Sequence, residues 1–197
     1  YNCHVSQLSK NYSLATDTYQ TAWKEPGINC EACHGPGLKH VRAMLALKDQ
    51  PSEGRKVPIE KRESPSKGRE IFSESLQIIV TRQFTEEQTN SMCAPCHAKM
   101  NILTASFQPG DDVFDHYNLV GLEDRDFYPD GRDLGENFTY TLWLMSPCAA
   151  SGQLDCLHCH TSSGRNKHAA EPDKACAPCH EKHVADPAAH SFHKAES

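Results

Sequence analysis

The sequence predicts a mostly irregular chain with short α-helices, built around packed cofactors in place of a side-chain core. Three observations predict it. The pattern Cys-x-x-Cys-His occurs four times, at Cys30–His34, Cys93–His97, Cys156–His160 and Cys176–His180. The chain also opens on Tyr1-Asn2-Cys3-His4, which a Cys just ahead of Tyr1 would turn into a fifth copy. Only 38% of the 197 residues are apolar and 8% aromatic, too few and too scattered for a large conventional interior. Twelve residues are histidine, far more than ordinary usage, and nine of the ten cysteines lie in the motifs or their remnant.

The spacing carries the chemistry. Two thiols two residues apart can each form a thioether to a porphyrin vinyl group, and the following His becomes the proximal ligand of the iron. Cys30, Cys33, Cys93, Cys96, Cys156, Cys159, Cys176 and Cys179 are therefore expected to hold four c-type haems, and Cys3 a fifth. A structural zinc site needs paired Cys or His ligands but no His directly after every second Cys. A redox Cys-x-x-Cys pair comes singly beside a βαβ pattern. A disulfide framework likewise leaves the invariant His without a role. Cys148, in Ser146-Pro147-Cys148-Ala149-Ala150, has no following His and reads as a small buried thiol. With five haems, each would have about 39 residues of chain, so the porphyrins themselves become the core.

Along the chain, residues 1–48 carry two motif sites. Leu14–Trp23 is expected to form a short helix between them, and His40–Lys48 another. Residues 49–68, rich in Pro, Ser, Lys and Glu, read as an exposed loop or linker. Arg69–Gln83 is apolar at Ile71, Phe72, Leu76, Ile78, Ile79 and Val80, which predicts a helix in its first part, although Ile78–Thr81 is β-prone. Thr85-Glu86-Glu87-Gln88 has the form of a helix start, with Thr as N-cap and Gln three residues on, leading into Cys93. Residues 101–147 hold no motif and most of the aromatic residues. Pro129-Asp130-Gly131 marks a turn. Counted from Asp126 as a calcium loop, this acidic stretch fails at Tyr128 and Asn137, where ligands should stand. Thr139–Met145 reads as a strand or a buried segment covering a haem face. Residues 148–197 are the densest part, with two motifs and seven histidines. The motif starts at 30, 93 and 156 are evenly spaced, but the residues after each motif do not match, so no repeat is inferred.

The proximal ligands are expected to be His4, His34, His97, His160 and His180. Seven histidines remain for the sixth coordination position: His40, His116, His158, His168, His183, His190 and His193. A His or Met there closes the iron and makes it a carrier, whereas an open position permits substrate chemistry. His40 follows a Gly-Pro-Gly turn that projects it toward a haem other than its own. His158 lies inside a motif, on the side facing away from its own iron, where it can reach a neighbouring haem. Met44, Met92, Met100 and Met145 read as packing residues. At least one spare histidine is expected to be left over, or to serve a haem beyond Ser197 or in a neighbouring chain, and His193, closest to that end, is the expected one.

The formal charge is −6, and each ferric haem c adds about −1 when both propionates ionise. An acidic holoprotein excludes nucleic acid as a partner. The basic residues between Arg55 and Arg69 alternate with glutamates and read as a solvated stretch. No apolar run is long enough to span a bilayer, and no signal peptide opens the chain. Haem c is attached outside the cytoplasm in prokaryotes. The sequence is thus expected to be a piece of an exported, periplasmic or extracellular product.

The stretch from Cys3 to Val41, with Cys-His-Gly-Pro-Gly-x-x-His-Val at 33–41, "FYPDG" at 127–131 and "DPAAHSFHKAES" at 186–197, resembles the multihaem cytochromes c related to the cytochrome c-554 group. Members are often fused to tetratricopeptide repeats, which are absent here. The resemblance covers most of residues 1–197, read as a single multihaem domain. It implies His40, His116, His190 and His193 as distal ligands, with His158, while His168 and His183 are less typical. It also implies a further Cys-x-x-Cys-His after the last block. The expected function is electron transfer along closely packed bis-His haems, within a larger redox complex or an extracellular filament, with redox proteins, other copies of the chain or further haem domains as partners. The alternative is a multihaem oxidoreductase acting on a small nitrogen or sulfur compound at one open haem. The surplus of histidines and the lack of a Cys-x-x-Cys-Lys variant weigh against it.

Overall fold

The structure, a computed structural model, describes residues 3–49, 71–134, 139–189 and 191. His190 and His193, most of the 49–68 linker and the block after Ser191 lie outside the described residues. The single domain expected over 1–197 is laid out as two compact units, Tyr1–Gln153 and Leu154–Ser197.

The first unit begins with two nested antiparallel ribbons. Strand β1 (Val5–Ser6) pairs with β4 (Glu25–Pro26), and inside them β2 (Tyr12–Ser13) pairs with β3 (Thr18–Tyr19). The helix expected at Leu14–Trp23 is therefore a hairpin. Its cause is local. Tyr12 and Tyr19 are cross-strand partners with ring centroids 4.8 Å apart, a pairing that stabilises a ribbon. Asp17 takes φ +49 at the turn, where a short polar side chain is tolerated, and accepts a hydrogen bond from the Tyr12 hydroxyl at 2.8 Å.

Helix α1 (Glu31–His34) and α2 (Leu38–Lys48) follow, separated by the Gly-Pro-Gly turn, and neither contains a buried residue. The second expected helix is thus present and begins two residues before His40. A further hairpin, β5 (Phe72–Ser73) with β6 (Ile78–Ile79), replaces the helix expected in the first part of Arg69–Gln83. The β-prone isoleucines pair back on Phe72 and Ser73, and Gln77 takes φ +52 at the turn. This hairpin has the strand and turn lengths of β2–β3, with the positive φ at the same place, sixty residues later. Each precedes a Cys-x-x-Cys-His motif, so a repeat of form exists where residue matching finds none.

Helix α3 (Glu86–His97) opens with a reciprocal capping box. The Thr85 hydroxyl accepts from the Gln88 amide at 3.2 Å, and the Gln88 side chain accepts from the Thr85 amide at 3.0 Å. Strands β7 (Met100–Ile102) and β8 (Tyr117–Leu119) pair antiparallel. The segment Thr139–Met145, read as a strand or covering segment, is helix α4. Tyr140 is buried with Ala94, Ala98 and Val113, and Trp143, one turn on, packs against the same cluster. Packing at helical spacing overrides the β propensity of its aromatic and β-branched residues. A one-turn helix, α5 (Pro147–Ala150), carries Cys148, which is exposed and not buried as expected.

The second unit holds α6 (Cys156–Cys159) and α7 (Ala177–Ala185), which breaks helical geometry at His180. Among its described residues none is buried.

Candidate functional site

In each complete motif the stretch from first to second cysteine is one turn of helical backbone. Cys30 precedes α1 in helical conformation, Cys93–His97 is the last turn of α3, Cys156–Cys159 is α6, and Cys176 leads into α7. Residues three apart on a helix are neighbours on one face. Both thiols of a motif thus face one side, as two thioethers to one porphyrin require. None of the ten cysteines is engaged in a disulfide.

Three of the motifs converge. Cys3 Sγ donates to the Cys96 carbonyl at 3.4 Å. Burial pushes the Cys96 thiol up to about 11, and the sulfurs of Cys3 and Cys33 add to that rise. Burial, followed by the nearness of Cys96, also raises the Tyr117 phenol. The remnant and the first two complete motifs therefore meet beside the cluster of Ala94, Ala98, Val113 and Tyr140. In that cluster Trp143 Nε1 is buried without a hydrogen-bond partner. A buried donor with no acceptor is costly, and a cofactor carboxylate is one acceptor chemistry that would satisfy it.

The histidines differ in which nitrogen is engaged. His34 Nδ1 bonds the Ile79 carbonyl at 3.0 Å, His40 Nδ1 the Leu76 carbonyl at 2.6 Å, and His160 Nδ1 the Gly164 carbonyl at 3.2 Å. A ring bonded in this way keeps its proton on Nδ1 and presents Nε2 as a lone pair, the usual arrangement of a metal-ligating imidazole. His116 is engaged at both ends, Nδ1 2.7 Å from the Thr104 hydroxyl and Nε2 3.3 Å from the Asp111 carboxylate, with its side chain 15% exposed. To serve as a ligand it must give up one of these. His158 bonds the Ala175 carbonyl through Nε2 at 3.3 Å, which sets it beside Cys176 of the next motif. The rings of His180 and His183 lie 6.0 Å apart. His4 and His97 are exposed, and the His4 carbonyl accepts from the Gly27 amide at 2.7 Å. His168 is partly buried.

Among the described residues, no group of three or more His, Cys, Asp or Glu side chains is placed to hold a metal ion by itself. The motif residues fit a group that brings most of its own ligand set, as a porphyrin does. Sequence reading missed Tyr117, Trp143 and the carbonyls of Leu76 and Ile79. Two of these are backbone atoms, and only the β-prone character of Ile78–Thr81 hinted at the hairpin that carries them.

No family model, curated protein or solved structure matches this chain. No helix among the described residues is long and apolar enough to cross a membrane.

Proposed function

We propose that the chain is an electron carrier holding five covalently attached c-type haems, each with histidine on both sides of the iron, and that it works outside the cytoplasm within a larger redox complex or filament. One observation carries the reading. The segment Leu154–Ser197 contains two Cys-x-x-Cys-His motifs and not one buried residue among those described. A compact unit of this size without an interior of side chains needs another source of buried surface, and covalent cofactors supply it.

When bound, haem supplies one-electron chemistry at its iron. The chain attaches it through Cys30 and Cys33, Cys93 and Cys96, Cys156 and Cys159, Cys176 and Cys179, and through Cys3 at the fifth site. His4, His34, His97, His160 and His180 serve as proximal ligands. His40, His116, His158 and His190 are distal ligands, and His193 is a fifth, to one of these haems or to a haem of a neighbouring chain. Carbonyl bonds at His34, His40 and His160 hold those rings in the tautomer that ligation requires. The approach of Cys3, Cys33 and Cys96 supports close spacing of three haems.

Mass spectrometry of the holoprotein together with ferric and ferrous spectra, with and without carbon monoxide, tests the reading. Five haem masses and no carbon monoxide complex are expected. Four haems with Cys3 free would remove the fifth site. Carbon monoxide binding at one haem per chain would overturn the carrier and favour an oxidoreductase with an open iron.

A further inference from the structure

His34 and His40 lie in different helices, yet both are tied to one distant hairpin. The partner carbonyls are Ile79 at 3.0 Å and Leu76 at 2.6 Å, separated from their histidines by 45 and 36 residues of chain. His160, by contrast, uses Gly164 in its own following turn. The hairpin is built to hold these carbonyls still. Ile79 pairs with Phe72, and the Val80 amide donates to the Ile71 carbonyl at 2.7 Å. The Leu76 amide donates to the hydroxyl of Ser73, a residue only 2% exposed, at 3.1 Å. The histidine side is fixed as well. Glu31 Oε1 accepts from the Gly37 amide at 2.7 Å, and Gly35 comes so near Ile79 that a Cβ would stand 2.9 Å from its Cδ1.

The geometry points to the hairpin Phe72–Ile79 as a clamp that sets the tautomer and ring orientation of two axial ligands at once, His34 and His40. The clamp rests on the haem reading above, in which His34 is proximal and His40 distal. A carbonyl bonded to Nδ1–H makes the imidazole a more basic ligand, which favours ferric over ferrous iron. The hairpin is thus a positioning element that also lowers the potential of the haems these histidines serve.

The ferric holoprotein gives the first test. The paramagnetically shifted Nδ1 protons of His34 and His40 are expected to survive transfer into D2O, and their disappearance within the dead time would overturn the clamp. The second test is Ser73→Ala, which releases the Leu76 amide. It is expected to speed exchange of the His40 Nδ1 proton and to shift one haem potential upward with the haem count unchanged. An unaltered exchange rate and potential would overturn the clamp and leave the haem reading intact. If the variant loses haem, the exchange measurement on the parent protein decides. A parent protein with no haem mass on Cys30 and Cys33 would overturn the functional reading itself and the clamp with it.

Discussion

Gly35 holds φ +67 in the turn between its motif and α2, with Ile79 against the place where a Cβ would stand. With ψ −168 this is a region open essentially to glycine alone, where an L-residue is strained by about 1–3 kcal/mol, before any shift of Ile79. Gly35→Ala is expected to lower the unfolding midpoint of the holoprotein, and an unchanged midpoint in calorimetry would contradict this account of the turn. Asp130 gives a pH prediction. The Arg132 amide, at 3.1 Å, and then its guanidinium, at 2.8 Å, hold the Asp130 carboxyl below the usual aspartate range. A depressed carboxyl contributes stability above its unfolded pKa and loses it as the pH falls through the folded value. The Tyr128–Arg132 turn should therefore stay closed through mild acid and loosen only below the ordinary aspartate range. A carboxyl carbon titration by NMR with its midpoint at or above the ordinary value would refute this. At this scale the sequence was legible wherever a side chain carried the signal, as in Pro129-Asp130-Gly131. It was silent on which imidazole nitrogen is engaged, because at His34, His40 and His160 the deciding partner is a backbone carbonyl.

Among the elements, α3 was the most readable, since its start is written in four consecutive residues. Removing the hydroxyl in Thr85→Ala is expected to cost about 1 kcal/mol and to speed hydrogen exchange at the Gln88 amide, and equal exchange in both proteins would show that the box contributes nothing. The hairpins were hidden for the opposite reason. Strands of two residues carry no alternation, and their register depends on pairs such as Tyr12 with Tyr19 and Phe72 with Ile79. The likeness of the two hairpins rests on backbone shape, with Ser13 and Ser73 the identical residues in the strands. Helix α4, expected as a strand or a buried covering segment, is partly buried but helical: Thr139, Tyr140 and Thr141 favour a strand, while the cluster it packs on lies far away in sequence.

For the whole molecule, the decisive fact is how little is buried. The apolar interior among the described residues is seven side chains, all in Tyr1–Gln153, whereas seventeen large apolar residues are exposed. The full chain made without haem attachment is therefore expected to show a weak circular dichroism signal and no protected amides in Leu154–Ala189. Protection there in the haem-free chain would sink the idea that cofactors form the core. The sequence foretold this scarcity through its composition, and the motifs through their spacing. A longer consequence concerns quality control in the cell. Under the haem reading proposed above, a copy that misses a haem lacks part of its buried surface and would stay an open target for proteases. Survival would then itself report complete loading, and the population of chains would be proofread without any dedicated inspector.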